Sequence, residues 1–264
     1  MKKSTPISIR IIRFVRLLLH VVSGIVQSIA YPHFSRSIQH KMMKNWAIKL
    51  LKILNIKLHY TGKFPDQNVK HALLVANHVS WLDICLLMAV CPTQFVAKSE
   101  IRSWPVIGFL CKRVGTVFIA RAKRSDTMRT NQTISNILLT GERVCIFPEG
   151  ATSDGTQLHH FHASLLQSAV NVNALLYPVA IRYLDDTGNS CRDAAYTDIS
   201  LMTSLQKILS QSSINAVLDC SEVIHSEEKN RRELARLSEQ AIANSLSLSS
   251  YHKESEKPSY LPNA

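Results

Sequence analysis

The sequence lacks several patterns that would place it in a common class of protein. No two of its six cysteines have the C-x-x-C spacing, and most of them lie in apolar runs, where free cysteine behaves as a small hydrophobic residue. This usage favours a reducing compartment. The segment G-x-S-x-G is also missing, which argues against an α/β-hydrolase lipase. No internal repeat is visible. With 264 residues and 46% apolar content, the chain is long enough to bury a full core, which predicts one catalytic-size domain with an appendage at most.

Acidic residues are nearly missing from the first quarter of the chain. Residues 1–70 contain thirteen lysines and arginines and one acid, Asp66, whereas the rest of the chain contains eighteen residues of each sign. The net charge of +12 therefore comes from this quarter. The basic residues are interleaved with aliphatic residues rather than with the stacking aromatics of nucleic-acid binders. An anionic membrane surface is the predicted partner, and nucleic acid is not.

Long, uninterrupted apolar runs are missing as well. A membrane-spanning helix needs about 20 mostly apolar residues, and the run at 11–31 is shorter than this before it is broken. The interruptions are five polar or small residues, His20, Ser23, Gly24, Gln27 and Ser28. The next segment, 36–54, has apolar residues at helical spacing and lysines on the opposite side, the pattern of a helix lying in the membrane interface.

Basic residues flank the apolar run on both sides, so the positive-inside rule gives it no orientation. We predict that residues 1–55 form a membrane-associated basic helical pair, re-entrant or half-buried, with both ends on the cytoplasmic side of the inner membrane. Two alternatives stay open. The run could be a secretory signal ending at Ser28–Ala30, or a soluble amphipathic helix packed on its own domain.

Beyond residue 55, strand-like and helix-like segments alternate, which predicts an α/β domain with a layered, mixed or mostly parallel sheet flanked by helices. Strands are predicted near 56–60, 71–76, 93–97, 116–119, 143–147, 175–181 and 214–220. Helices are predicted near 80–90, 104–112, 125–140, 162–172, 201–210 and 227–244. This domain is assigned to 56–244, and the serine-rich end, 245–264, is predicted to be a disordered tail.

A histidine and an aspartate flank a predicted strand-to-helix turn in "LLVANHVSWLDICLL". His78 and Asp83 would lie about 140° apart on a continuous helix, so they meet only if the helix begins between them. Ser80 supplies that start, because Ser80-x-x-Asp83 has the form of a capping box. The Asp83 carboxylate could then reach one ring nitrogen of His78. A simpler reading is that Asp83 only caps the helix.

Three further blocks follow strands in order, and they decide between these readings. They are "GTVFIAR" (Gly115–Arg121), "FPEGATSDGT" (Phe147–Thr156) and "LLYPVAIRY" (Leu175–Tyr183). Together with N-H-x-x-x-x-D, the HX4D motif, they resemble the four blocks of the glycerolipid acyltransferase family, which includes the 1-acylglycerol-3-phosphate acyltransferases. The resemblance covers residues 73–183.

This resemblance implies that a fatty acyl group passes from a thioester, on coenzyme A or acyl carrier protein, to the free hydroxyl of a lysolipid, with no metal or other cofactor. His78 would be the general base and Asp83 would hold its tautomer. Arg121, with Lys98 as a second basic contact, would bind the acceptor's phosphate. Glu149 and Gly150 would contribute acceptor binding and a tight turn, and Pro178 would shape the pocket.

Other functions remain open at this point. The tryptophan of "NHVSWLD" and the segment Tyr196–Leu209 also resemble relatives that acylate lyso-ornithine lipid. A thioester hydrolase or a non-catalytic lipid-binding protein would belong to a different class. A metal site at His159, His160 and His162 lacks carboxylates or cysteines at ligand spacing. Cys85 and Cys145 lie in predicted buried runs, which disfavours them as acyl-accepting nucleophiles.

Overall fold

The computed structural model describes residues 5–120 and 124–250, and within these ranges it contains eight strands and eight α-helices. The strands are β1 (Ile56–Gly62), β2 (Ala72–Ala76), β3 (Gln94–Lys98), β4 (Val117–Ile119), β5 (Val144–Ile146), β6 (Leu175–Leu184), β7 (Ile214–Cys220) and β8 (Ile224–His225). The α-helices are α1 (Ile7–Ala30), α2 (Arg36–Ile53), α3 (Leu82–Val90), α4 (Ile107–Arg113), α5 (Arg124–Leu139), α6 (Gln167–Asn171), α7 (Leu201–Ser210) and α8 (Arg231–Leu246). Short 3-10 helices lie at Tyr31–His33, Ser99–Ser103, Ala163–Leu166 and Arg192–Ala194.

All eight strands join one mixed sheet, which confirms the predicted α/β class. The strand order is β1-β7-β6-β2-β5-β3-β4, with β8 paired to β6. Strands β6, β2, β5, β3 and β4 are parallel to one another, whereas β7 is antiparallel to β6. The carboxyl ends of the five parallel strands therefore meet at one edge of the sheet, where α/β proteins bind their ligands.

Helices cover both faces of the sheet, so its central strand is apolar on both sides. In β2, Leu74 packs in one core with residues of α2 and α3, and Leu73 packs in a second core with residues of α5 and α8. All five β2 residues are buried. A strand between two helical layers needs this continuous apolar run rather than an alternating one.

The apolar side of α2 packs on the domain. Met43, Leu50 and Leu54 at its apolar positions are buried, and α2 packs against α3. Lysines 41, 44, 49 and 52 are exposed on the opposite side. The apolar side of α2 therefore packs on the protein and not, as predicted, in the membrane interface, because the same amphipathic pattern suits a helix on a protein core and a helix on a bilayer.

Helix α1 has the reverse arrangement, with small and polar residues inside. His20 stacks on Trp46 of α2 with the ring centroids 4.8 Å apart, and Gly24 lies so close that an added Cβ would stand 2.6 Å from Trp46 Nε1. The outward side, called here the apolar face of α1, consists of aliphatic residues that are each 41–75% exposed: Ile7, Ile9, Ile11, Ile12, Val15, Leu18, Leu19, Val22, Val26 and Ile29. No helix within the described ranges is long and apolar enough to cross a membrane.

The start of α1 is tied to the domain. The backbone N–H of Thr5 donates to Ser210 O at 2.9 Å, and the Arg13 guanidinium donates to Gln211 O at 3.0 Å. These bonds satisfy carbonyl groups at the end of α7, which have no partner within their own helix. They hold α1 in one orientation, so its apolar face has a defined direction.

The last described residues pack on the domain. Helix α8 continues to Leu246, and the hydroxyl of Ser250, which is buried, donates to Glu239 Oε1 at 2.8 Å. The predicted tail boundary at residue 245 was therefore too early. Serine-rich composition indicates disorder, but a serine that bonds a buried carboxylate is held in place. Residues 251–264 lie outside the described ranges.

Candidate active site

The loop after β2 carries His78 and is held against the neighbouring strand. Its first residue, Asn77, is 2% exposed, and its side-chain amide accepts from Ile181 N at 2.7 Å and donates to Ile181 O at 3.0 Å. This pair of bonds joins the end of β2 to β6. His78 consequently stands at the carboxyl edge of the sheet, just before α3, as predicted.

His78 and Asp83 are in direct contact. The distance from His78 Nδ1 to Asp83 Oδ2 is 2.8 Å, and the side chains are 20% and 0% exposed. In the neutral imidazole that donates from Nδ1, the lone pair is on Nε2, the nitrogen turned away from the carboxylate. The pair therefore presents a base to a substrate from a partly open ring.

The same carboxylate also starts α3. Asp83 Oδ2 accepts the backbone N–H groups of Val79 at 2.8 Å and Ser80 at 2.9 Å. The Ser80 hydroxyl accepts from Leu82 N at 3.3 Å. The bond from Ser80 N to Asp83 is one half of the capping box predicted from Ser80 and Asp83. The other half differs, because the Ser80 hydroxyl accepts from the N–H of Leu82, the first residue of α3, and not from that of Asp83. Capping and histidine contact, two competing readings of the sequence, both occur in one side chain.

Two aromatic residues that the sequence did not single out complete this region. Phe147, one residue after β5, stacks on the His78 ring with a centroid distance of 4.0 Å and an interplanar angle of 16°. The Tyr183 hydroxyl, from β6, donates to Asp83 Oδ1 at 2.5 Å. Both residues lie inside the quoted family blocks, which was the available signal. Their contacts depend on strand order, which spacing does not give.

Glu149 and Gly150 shape the turn after β5. The Gly150 N–H donates to Phe147 O at 3.1 Å, closing a turn with Pro148 at its second position, and Gly150 has φ +77°. Glu149 Oε1 accepts from His78 N at 2.6 Å, and Oε2 accepts from His159 N at 3.0 Å. Burial raises the pKa of Glu149 to about 7. Both of its oxygens thus accept from backbone N–H groups, and the carboxylate joins the loop of His78 to the loop that contains His159.

Comparisons with known proteins agree with this geometry. The family model described as Acyltransferase matches residues 56–182. The lyso-ornithine lipid O-acyltransferase of Pseudomonas aeruginosa is 35% identical over 205 residues, covering 78% of each chain. The chain belongs to the acyltransferase family.

The names of further relatives specify another acceptor. The 1-acyl-sn-glycerol-3-phosphate acyltransferase of Neisseria gonorrhoeae is 41% identical over 169 residues, which cover 64% of this chain and 66% of that protein. The match therefore spans just under two thirds of that relative. The crystal structure of the Thermotoga maritima 1-acyl-sn-glycerophosphate acyltransferase superposes with a TM-score of 0.63 at 20% identity, covering 89% of this chain and 96% of the other. This likeness confirms the fold.

The remaining predicted site residues lie toward the same edge of the sheet or outside the described ranges. Lys98 is the exposed last residue of β3, and its register partner is Ile119 of β4. Pro178 on β6 is paired with Val75 of β2. Arg121 lies outside the described residues, so its phosphate contact stays a prediction from the sequence.

The two cysteines considered as acyl-accepting nucleophiles are poorly suited to that role. Burial raises the pKa of Cys85 to about 12. Burial also raises the pKa of Cys145, which is 0% exposed, well above 9. Because the thiolate is the nucleophilic form of cysteine, neither side chain carries it at neutral pH.

The raised pKa of Glu149 predicts that the stability of the protein depends on pH. Burial moves this pKa from 4.5 to about 7, so between these values the folded protein keeps a proton that the unfolded chain has released. Stability from this group is greatest at low pH and falls as the pH rises toward 7. In Glu149→Gln the side chain cannot titrate. We therefore expect its free energy of unfolding to fall by about 2 kcal/mol less than that of the parent between pH 5 and pH 7.

Urea unfolding of the detergent-solubilised protein at both pH values measures this difference. Glu227→Gln is the matched control, because Glu227 is exposed, and its pH dependence should equal that of the parent. Equal slopes for the parent and Glu149→Gln would contradict the prediction.

Proposed function

We propose that this protein transfers a fatty acyl group from a thioester to the free hydroxyl of a lysophospholipid, converting 1-acylglycerol 3-phosphate to phosphatidic acid. The observation that carries the proposal is the 2.8 Å contact between His78 Nδ1 and Asp83 Oδ2 at the carboxyl edge of the sheet. The names of the Neisseria and Thermotoga relatives support this acceptor. The donor is a thioester of coenzyme A or acyl carrier protein, and the reaction uses no further cofactor.

His78 supplies the base for the chemical step. Nε2 takes the proton of the acceptor hydroxyl while its oxygen attacks the thioester carbonyl carbon, because an alcohol is a weak nucleophile near neutral pH. A positioned base contributes about 10²–10⁴-fold. The new C–O bond forms, the C–S bond breaks, and the thiolate leaves without a strong acid, since thiols have pKa values near 8.5. The proton on His78 then passes to the thiolate or to solvent.

Asp83 sets the histidine for this step. Its carboxylate accepts the Nδ1 proton, so the basic lone pair is on Nε2, and it stabilises the imidazolium that forms. Phe147, stacked on the ring, restricts rotation of the imidazole. Base and orienting group are thus both fixed by the fold before substrate arrives, which lowers the entropy cost of the reaction.

Two basic residues bind the acceptor's head group in the proposal. Arg121 pairs with the phosphate through its guanidinium fork, and Lys98, exposed at the end of β3, contributes a second positive charge. Glu149 acts on the acceptor indirectly, because its two oxygens accept backbone N–H groups of His78 and His159.

We place the protein on the inner membrane with its active site toward the cytoplasm. The apolar face of α1 is a continuous exposed surface, and surfaces of this kind mark sites of membrane or protein contact. Helix α4 packs against α1, and the nearby Trp104 and Phe109 are 39% and 38% exposed, as suits residues at a lipid–water interface. Exposed lysines on α2 supply charge for anionic lipids.

Removal of two aliphatic residues from the apolar face of α1 should release the protein from membranes. Leu19 and Val26 are 65% and 63% exposed, so Leu19→Ser/Val26→Ser should fold like the parent while losing about 3 kcal/mol of lipid contact. Sedimentation with vesicles containing anionic phospholipid measures the bound fraction.

Met128→Ser/Leu139→Ser is the matched control for this experiment, since these residues are 71% and 58% exposed on α5. The control should sediment like the parent. Unchanged vesicle binding by the α1 variant would contradict the assignment of its apolar face to the membrane.

Lyso-ornithine lipid is the second candidate acceptor. The Trp81 indole N–H donates to the Ser204 hydroxyl at 3.1 Å, so the two segments that resemble lyso-ornithine lipid acyltransferases are in contact beside the His78 loop. The Pseudomonas relative with that name aligns over 78% of the chain. This acceptor has no phosphate, so Arg121 would meet its carboxylate instead.

Acceptor choice is tested with the purified protein, one acyl thioester and a panel of lysolipids, with products identified by mass. We expect phosphatidic acid to form fastest from 1-acylglycerol 3-phosphate. Faster acylation of lyso-ornithine lipid would identify that lipid as the acceptor. Acylation of neither lipid would contradict both.

A further inference from the structure

Tyr183 contacts the oxygen of Asp83 that His78 does not, Oδ1 rather than Oδ2. It is on β6, is 4% exposed, and its hydroxyl donates to Asp83 Oδ1 at 2.5 Å. The two Asn77–Ile181 hydrogen bonds anchor the His78 loop to β6 just two residues before Tyr183. The chain thus brings together two side chains that are a hundred residues apart in sequence.

The two oxygens of Asp83 have separate partners. Oδ2 accepts from His78 Nδ1 and from the N–H groups of Val79 and Ser80, whereas Oδ1 accepts from Tyr183. Asp83 is 0% exposed, so its negative charge depends on these donors rather than on water. Rotation of the carboxylate would break bonds at both oxygens at once.

We propose that Tyr183 is a positioning residue for catalysis, which fixes the plane of the Asp83 carboxylate and draws part of its charge away from the oxygen that holds the His78 ring. The proposal rests on the role given above to His78 as the base. A hydrogen bond to one oxygen of an anion draws charge from the other. Without the phenol, Oδ2 would hold the proton-bearing imidazole more tightly and in a less defined direction.

Tyr183 remains a donor over the whole working pH range. Burial and the neighbouring Asp83 charge raise the pKa of its hydroxyl well above 10. The ionisable groups that interact with Asp83 from the packed elements are His78 in its own loop, Cys85 on α3, Cys145 on β5 and Glu149 after β5.

Tyr183→Phe removes the hydroxyl and keeps the ring. We expect kcat to fall about 3- to 30-fold with little change in KM, the size of one hydrogen bond to an ion whose loss loosens the base. The acid limb of the pH profile of kcat/KM should move to higher pH, because His78 becomes harder to deprotonate. A purely structural tyrosine would lower thermal stability and leave this limb in place.

Tyr177→Phe is the matched control. Tyr177 is on the same strand and the same face as Tyr183, is 5% exposed, and belongs to the same core. No hydrogen bond within the described residues joins it to Asp83 or His78. Its replacement should leave kcat and the acid limb at the parent values.

A second variant keeps the hydroxyl and should shift the acid limb in the opposite direction. Site-specific 3-fluorotyrosine at position 183 is a more acidic phenol and a stronger donor, so the acid limb should move to lower pH. Proton NMR titration of His78, assigned by its disappearance in His78→Gln, gives the same two shifts without any turnover. It separates this inference from the proposed function, because it applies even if no lysolipid is acylated.

Opposite shifts of the His78 titration in the two variants, with the control unchanged, establish the positioning role. A His78 titration and acid limb that stay at the parent values in both variants would overturn it, whatever happens to thermal stability.

Discussion

Replacing His78 with alanine is expected to lower kcat for acyl transfer about 10²–10⁴-fold, the contribution of a positioned general base. The fold should survive, because the His78 ring is 20% exposed and Asp83 keeps its bonds to two backbone N–H groups and to Tyr183. Vesicle binding should also stay at the parent level, since the apolar face of α1 is unaffected. Initial rates at saturating lysolipid measure the effect.

His225→Ala is the matched control for this experiment. His225 is exposed on β8, paired with Leu175 at the beginning of β6, which is the opposite edge of the sheet from His78. Its replacement should leave kcat unchanged. If His78→Ala kept the parent activity, His78 would not be the general base. If the variant also kept every lipid-dependent property of the parent, a non-catalytic lipid-binding protein would be favoured.

Asp83→Asn is expected to lower kcat by a similar factor of about 10²–10⁴, because the charge that stabilises the imidazolium is lost. The amide oxygen can accept from His78 Nδ1 and from the N–H groups of Val79 and Ser80, and the NH₂ group can donate to the Tyr183 hydroxyl, which also accepts. The histidine then keeps its orientation but has no negative charge beside it when Nε2 takes a proton. The loss of charge-assisted bonds at a buried site should also cost about 1–3 kcal/mol of stability.

Asp219→Asn is the matched control, which shows whether a loss of stability alone lowers kcat. The Asp219 carboxylate accepts from Thr61 at 2.5 Å and from Ser245, and these bonds lower its pKa. Its replacement should destabilise the fold while kcat stays near the parent value. If Asp83→Asn also kept the parent kcat, Asp83 would be a helix cap alone.

The sheet could be predicted closely from the sequence where strands are buried. β2 and β5 are short apolar runs bounded by turn residues, and the predicted 71–76 and 143–147 overlap the observed Ala72–Ala76 and Val144–Ile146. The two-residue β8 has no such run and was not predicted. β6 extends three residues beyond its predicted end at 181, to Leu184, because antiparallel pairing with β7 continues there.

Site contacts between residues close in the sequence could be predicted, and contacts between residues far apart in the sequence could not. Ser80 and Asp83 are three residues apart, so capping chemistry alone placed the carboxylate near His78. Tyr183 and Phe147 reach the same dyad only because β6 and β5 flank β2 in the sheet, an order that periodicity does not encode. Glu149 was expected to bind the acceptor, and its bond to His78 N is likewise a product of strand order.

Tertiary packing also determines which side of each N-terminal helix faces outward. Both helices carry apolar residues, and hydropathy alone could not tell which helix packs on the domain. Trp46 decides this, because its ring fits over His20 and Gly24 of α1. Small and polar residues of α1 therefore turn inward, and its aliphatic residues turn outward.

The most direct test of the central claim, that His78 deprotonates a lipid hydroxyl attacking a thioester, is to measure thiol release and new ester together in one reaction. With purified protein, acyl thioester and 1-acylglycerol 3-phosphate, we expect one thiol per molecule of diacylated lipid and neither product when the lysolipid is omitted. In His78→Ala both products should form about 10²–10⁴-fold more slowly. Thiol release that continues at full rate without lysolipid, with free fatty acid as the other product, would contradict the account and identify a thioester hydrolase.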